Sequence, residues 1–160
     1  MTRELRVGQG FDTHAFSDDP SRPLVLGGVE LVGERGLYGH SDGDVIAHAV
    51  ADALLGAAGL GDLGEHFPDS DAQWEGADSM DLLSRVVSLL EERGWLPANV
   101  DCSVVLEAPR LAPHRGLMQE RLGAVVGADV TVKPKRAEGL GALGRGEGIA
   151  CWAVALVEHR

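Results

Sequence analysis

Apolar positions along the chain switch between alternation and helical spacing, and each switch predicts an element. Leu5 to Phe11 alternate as a strand does, and PLVLGGVEL (23–31) predicts a second strand after the turn-prone SDDPSRP. From Ser41 onward, Val45, Ala49, Ala53 and Ala57 form one helical row, and Ile46, Val50 and Leu54 form the next. Ser41 is expected to cap this helix, with Asp44 at the capping-box offset and Gly59 as its stop. A second helix is predicted from about Ser79 to Arg93, burying Leu82, Leu83, Val86, Val87, Leu89 and Leu90 and ending at Gly94. VDCSVVLEA (100–108) reads as a strand. A third helix is expected from Pro113 to Val126, with Leu117, Met118, Leu122 and Val125 on one side and Gly127 at its end. The strands DVTVKPK (129–135) and GIACWAVALVEH (148–159) follow. The second is apolar on both faces, which predicts cover on both sides.

The order β-β-α-α-β-α-β-β predicts an α+β fold, an α/β sandwich with helices packed on a mixed β-sheet. With 160 residues and no internal repeat, low-complexity segment or linker, a single domain over 1–160 is expected. The formal net charge of -11 repels polyanions, so neither nucleic acid nor an anionic membrane surface is an expected partner. No apolar run reaches the ~18–20 residues of a bilayer span, and MTRELRV is too short and too charged for a signal peptide. Cys102 and Cys151 lie in apolar stretches without metal-ligand spacing, as buried thiols in a reducing compartment do. A cytoplasmic location is therefore expected.

Four stretches carry candidate chemistry. In GQGFDTHAF (8–16), Asp12 and His14 are two residues apart, so in a strand both point to one face and can converge on one cation. Such a pair is also common at strand ends, and a third ligand is needed to decide. His48, on the first predicted helix, supplies it: Asp/His/His suits zinc or a similar divalent ion and leaves a coordination position open. Asp52, one turn beyond His48, reads either as an acid that orients a ligand or as a surface ion pair. In GHSDGD (39–44), His40 and Ser41 sit at a helix start, where an anion is favoured, although plain capping explains Ser41 equally well. GDLGEHFPDSD (61–71) offers Asp62, Asp69 and Asp71 to hydroxyl groups, or forms ordinary turns. KPKRAEGLGALGRGEG (133–148) gathers Lys133, Lys135, Arg136 and Arg145 around Glu138, as an anion cradle with a magnesium-binding carboxylate or as a solvated turn with salt bridges.

Taken together, GxGFDTHAF, GHSDGDVIAHAVADALLGAAGLGDLGEHFPDSD, the GADS at 76–79, EAPRLAPH (107–114) and GRGEGIA (144–150) resemble the 2-C-methyl-D-erythritol 2,4-cyclodiphosphate synthases. The resemblance spans nearly the whole chain. It implies a homotrimer around a central sheet prism, with active sites between subunits. It also implies a reaction in which the 2-phosphate of 4-diphosphocytidyl-2-C-methyl-D-erythritol 2-phosphate attacks its own β-phosphate and expels CMP. On this basis Asp12, His14 and His48 would hold Zn2+ or Mn2+, and Glu138 would hold Mg2+ or Mn2+ at the diphosphate. His40 and Ser41 would contact phosphate, His40 stabilising the transition state. Asp12, His14 and Glu138 would also contact the substrate. Asp62, Gly64 and Asp69 would bind the methylerythritol portion, with Leu63, Phe67 and Asp71 of the same loop in contact with substrate. Leu106, Ala108, Pro109, Arg110, Leu111 and Ala112 would form the cytidine pocket, and Arg145, near the trimer axis, would also contact substrate.

The chain departs from the family pattern in one loop. Members commonly read T-T-T-E, whereas here Lys135, Arg136 and Ala137 precede Glu138. Arg136 thus replaces a threonine usually assigned a transition-state contact. Its guanidinium is expected either to supplement backbone amides at a phosphate or to turn towards solvent or an acidic neighbour. A family phenylalanine is likewise replaced by Ala142. The same features also suit a metal-dependent phosphohydrolase or a noncatalytic nucleotide-binding trimer.

Overall fold

The structure is a computed structural model and describes residues 3–160. Strands β1 (Leu5–Ala15), β4 (Trp95–Val105), β5 (Asp129–Lys135) and β6 (Gly148–His159) form one sheet in the order β1-β6-β4-β5. β6 is antiparallel to both its neighbours, whereas β4 and β5 are parallel, joined by a crossover through helix α4 (Arg115–Val126). The sheet is therefore mixed, as the element order predicts. Helices α1 (Val45–Ala58), α3 (Ser79–Glu92) and α4 pack with it around the core.

PLVLGGVEL is not one strand. It folds into a hairpin of β2 (Leu24–Leu26) and β3 (Val29–Leu31), separate from the main sheet. The two residues between them, Gly27 and Gly28, have φ of 57° and 73°, the pair of positive values that a tight hairpin turn requires. Nor does Ser41 cap α1. Asp44 is the N-cap, its Oδ1 accepting from Ala47 N–H at 3.0 Å, while Oδ1 and Oδ2 also accept from Gly27 and Gly28 N–H at 2.9 and 2.8 Å. One buried carboxylate thus ties the helix start to the hairpin turn. In α4 the buried row is Met118, Leu122 and Val126, and Leu117 faces outward.

α1 lies directly on β1. Gly8, Gly10, Asp12 and His14 share the inner face of the strand, and a Cβ at Gly10 would meet the Ala49 carbonyl oxygen at 2.0 Å. A Cβ at Gly8 would meet the Ala53 carbonyl oxygen at 2.1 Å. Glycine on the strand and alanine every fourth residue on the helix remove the side-chain layer between two backbones. Advancing along β1 from Gly8 to Gly10 moves the contact back along α1 from Ala53 to Ala49, and one further step brings Asp12 level with His48.

β6 is buried continuously from Gly148 to Cys151, but beyond that only its inner face is covered. On the outer face of the sheet Leu5, Val7, Phe11, Trp152 and Val154 are exposed, with the Phe11 and Trp152 rings 4.9 Å apart. Both ends of the described chain meet at one end of the sheet, where His159 N–H donates to the Glu4 carbonyl at 2.9 Å. The last residues of β1, β4 and β5 lie at the opposite end.

Candidate active site

The step that levels Asp12 with His48 assembles the first site. Asp12 Oδ2 lies 2.8 Å from His14 Nε2 and 2.9 Å from His48 Nδ1, and the two imidazole nitrogens are 3.3 Å apart. One ligand atom from each residue falls within 4.8 Å of the others. Around a tetrahedral zinc, bonds of about 2.0–2.2 Å leave ligand atoms roughly 3.4 Å apart, so this donor set closes on such an ion with little movement. The backbone already orients His14 as such a ligand, since its Nδ1–H donates to the Tyr38 carbonyl at 2.8 Å and leaves Nε2 as the ligand nitrogen. The Tyr38 carbonyl has no signature in the sequence, because any residue supplies one.

Electrostatics reinforce the cluster. Burial pushes the Asp12 carboxyl up, but hydrogen bonds and charge from His14 and His48 outweigh it and hold the pKa at about 2. Burial likewise works against a charged His48, yet the hydrogen bond and charge of Asp12, with Asp44 and Asp42 behind it, raise His48 above its ordinary value. The pocket favours positive charge at this point.

A cleft of about 320 Å³ opens beside the cluster, lined by His14, His40, Ser41 and His48 on its polar side and by Leu63, Phe67, Trp74 and Leu82 on its apolar side, with Asp69 at its margin. The backbone before α1 is held by Arg22, whose guanidinium donates to the carbonyls of Leu37, Gly39 and Ser41. His40 Nε2–H donates to the Asp71 carbonyl at 3.1 Å. The carboxylates of Asp62 and Asp71 do not line the cleft. Asp62 caps helix α2 (Leu63–His66) and Asp71 caps the short turn Ala72–Trp74. Asp52 accepts from Leu63 N–H at 2.7 Å, anchoring this loop to α1, and among the described residues it neither bonds a ligand of the cluster nor forms an ion pair. Desolvation raises its carboxyl above the ordinary value.

A second cavity, of about 440 Å³, lies at the ends of β4 and β5 and is lined by Leu106, Glu107, Pro109, Arg110, Leu111, Ala112, Pro134, Lys135 and Arg136. Ala108 faces a neighbouring groove with Phe16 and Gly146. Arg136 turns to an acidic neighbour: Nη2 and Nε donate to Glu107 Oε2 at 2.8 and 3.2 Å, and Glu107 Oε1 accepts from Ala137 N–H at 2.8 Å. This pairing holds the Glu107 carboxyl below the usual range. The other cations of that loop are partly spoken for, with Lys133 on Asp101 and Arg145 on Glu147. Glu138 is exposed, with φ of 54°, and lies outside the three-ligand group. The two cavities share no residue. They open at the same end of the sheet, one beside the end of β1 and the other beyond the ends of β4 and β5.

Comparison with known proteins agrees with these motifs. Residues 5–158 match the model of the YgbB family. The chain is 54% identical over 159 residues to the 2-C-methyl-D-erythritol 2,4-cyclodiphosphate synthase of Symbiobacterium thermophilum, covering 98% of this chain and 100% of the relative. It is 51% identical to the synthase of Bordetella petrii, with 98% of each chain covered. Among solved structures, the Plasmodium falciparum IspF CDP complex superposes with a TM-score of 0.85 at 30% identity, covering 100% of this chain and 99% of that one. The bifunctional IspDF of Campylobacter jejuni gives 0.94 at 38% identity, covering 99% of this chain and 43% of the longer one. With its strand-borne D-T-H, its helix-borne histidine and its match over almost every residue, the chain belongs to the YgbB family, that of the 2-C-methyl-D-erythritol 2,4-cyclodiphosphate synthases.

Proposed function

We propose that the protein converts 4-diphosphocytidyl-2-C-methyl-D-erythritol 2-phosphate to 2-C-methyl-D-erythritol 2,4-cyclodiphosphate with release of CMP, as a phosphorus-oxygen lyase dependent on divalent metal. The observation that carries this reading is the convergence of Asp12, His14 and His48 beside His40 and Ser41 in one cleft. An oxygen of the 2-phosphate attacks the β-phosphorus, and the bond from that phosphorus to the bridging oxygen breaks, leaving with CMP. Such a transfer needs in-line positioning and charge neutralisation rather than a protein nucleophile. Asp12, His14 and His48 would hold Zn2+ or Mn2+, and Glu138 Mg2+ or Mn2+, supplying positive charge to the phosphates being joined. His40, its Nε2–H occupied by the Asp71 carbonyl, donates to a phosphate oxygen through Nδ1 when protonated. Ser41 donates through its hydroxyl. Leu63, Phe67 and Leu82 shield the reacting phosphates from water.

The methylerythritol portion lies along the loop of Asp62, Gly64 and Asp69, and the cytidine lies in the Leu106–Ala112 cavity, at whose edge Arg136 stays paired with Glu107. One 160-residue domain provides both halves, but a given substrate uses the metal cleft of one subunit and the nucleotide cavity of the next. The open apolar face of Leu5, Val7, Phe11, Trp152 and Val154, which a homotrimer would bury at its centre, supports this. Arg145 then lies near the trimer axis, and the enzyme works in the cytoplasm.

Phosphorus NMR of purified protein with the linear substrate, with and without chelator, tests the reaction. Cyclic diphosphate forming only with metal is the expected result. CMP without cyclic product would instead make the protein a phosphohydrolase, and nucleotide binding without turnover would make it a noncatalytic trimer. His48→Ala is expected to abolish cyclisation while the trimer stays assembled, as read by light scattering. Undiminished turnover in that variant would refute the ligand assignment.

A further inference from the structure

The GADS segment at 76–79 has no part in the roles above, yet its serine stands directly behind the ligand cluster. Ser79 opens α3, is 1% exposed, and places Oγ 2.8 Å from His48 Nε2. A third group decides which of the two donates. Ser79 O–H donates to Asp42 Oδ1, and Ser79 N–H donates to Asp42 Oδ2 at 3.0 Å. A hydroxyl has one hydrogen, so with it committed to Asp42 the serine oxygen can only accept from His48. Nε2 then carries the imidazole hydrogen, and Nδ1, 2.9 Å from Asp12 Oδ2, turns its lone pair into the cluster. Asp42 is itself fixed, since Oδ1 also accepts from Asp44 N–H at 3.0 Å and its own N–H donates to the Ala77 carbonyl at 3.1 Å.

We propose that Ser79, aligned by Asp42, is a positioning residue that keeps His48 in its Nε2–H form and so presets Nδ1 as a metal ligand. This role rests on Asp12, His14 and His48 holding a metal, as proposed for the reaction. Asp12 pulls the other way, because its carboxylate draws a hydrogen onto Nδ1; the Asp42–Ser79 pair is the counterweight. The arrangement also divides labour between two serines. Ser41 Oγ lies 3.1 Å from the same nitrogen and accepts from Gly43 N–H at 3.3 Å. With the His48 hydrogen taken by the nearer Ser79, the Ser41 hydroxyl keeps its own hydrogen for the cleft or for Ser79 Oγ, 3.4 Å away.

The test is zinc affinity of the full-length protein, measured against a competing chelator. Ser79→Ala is expected to weaken zinc by about 10- to 100-fold, and Asp42→Asn by a smaller factor in the same direction. In zinc-loaded wild type, nitrogen-edited NMR should show a slowly exchanging Nε2–H on His48 that exchanges freely in Ser79→Ala. A merely structural serine would lower the melting temperature equally with and without zinc; here the zinc-induced rise itself should shrink. Wild-type zinc affinity in a folded Ser79→Ala overturns the proposal. Should that variant not fold, wild-type affinity in Asp42→Asn overturns it instead. A wild-type protein that binds no zinc would refute the metal site and this role together, whereas unaltered variants alone refute only the role of Ser79.

Discussion

At Asp44 three backbone N–H groups converge on a carboxylate with no exposed surface, and those bonds join the start of α1 to the β2–β3 turn. Burial, with Asp42 nearby, outweighs these bonds and raises its pKa from 3.8 to about 6. Between those values the folded protein keeps a proton that the unfolded chain has released. Stability contributed here is therefore full below about pH 4, falls as pH rises through 6, and levels off above it, for a total on the order of 3 kcal/mol. Urea unfolding of wild type and Asp44→Asn from pH 4 to 7 checks this: the gap between them should change across that window and stay constant above it. Little of this is legible in the sequence. Ser41 is the better cap by spacing alone, and only the folded hairpin reveals that Gly27 and Gly28 need an acceptor that Asp44 can reach. Ser41 is instead drawn towards His48 and Ser79.

At the scale of elements, the periodic segments are readable because their patterns are long: α3, β5 and β6 fall where alternation and helical spacing place them, and α1 does so from Val45 rather than from Ser41. Asp12 and His14 are legible for the same reason, since period two puts both on one face. The hairpin escapes such a reading because LVL and VEL on either side of two glycines look like one strand as readily as two. Asp52 looks like a cleft carboxylate in the sequence, but a local backbone N–H claims it. The seam between β1 and α1 tests how the site is positioned. Gly10→Ala introduces a Cβ that meets a carbonyl oxygen at 2.0 Å, where neither backbone has room to yield. We expect it to cost on the order of 2–3 kcal/mol of stability and to weaken zinc binding, since α1 must lift His48 away from Asp12. Thermal melts and zinc titration of the variant check both; a normal zinc affinity would mean that the seam does not set the ligand geometry.

Across the whole molecule, a net charge of -11 opposes an anionic substrate everywhere except where cations or a metal are gathered. The two cavities where they gather, one beside β1 and one beyond β4 and β5, have no residue in common. The shared sites proposed for a trimer are tested by complementation. A variant defective in the metal cleft, His48→Ala, and one defective in the nucleotide cavity, Pro109→Trp, should each be inactive alone. Unfolded and refolded together in equal amounts, they should recover about a quarter of wild-type activity, because each half is intact at random in neighbouring subunits. No recovery from a correctly assembled mixture would place both halves of the site within one chain.

The pairing of β1 with the end of β6 has a practical side. Glu4 and His159 are bonded to one another at the sheet end remote from both openings. A tether attached at Glu4 or His159 would lie at the end of the sheet away from the substrate mouths, so immobilising the protein there should leave catalysis facing the solution.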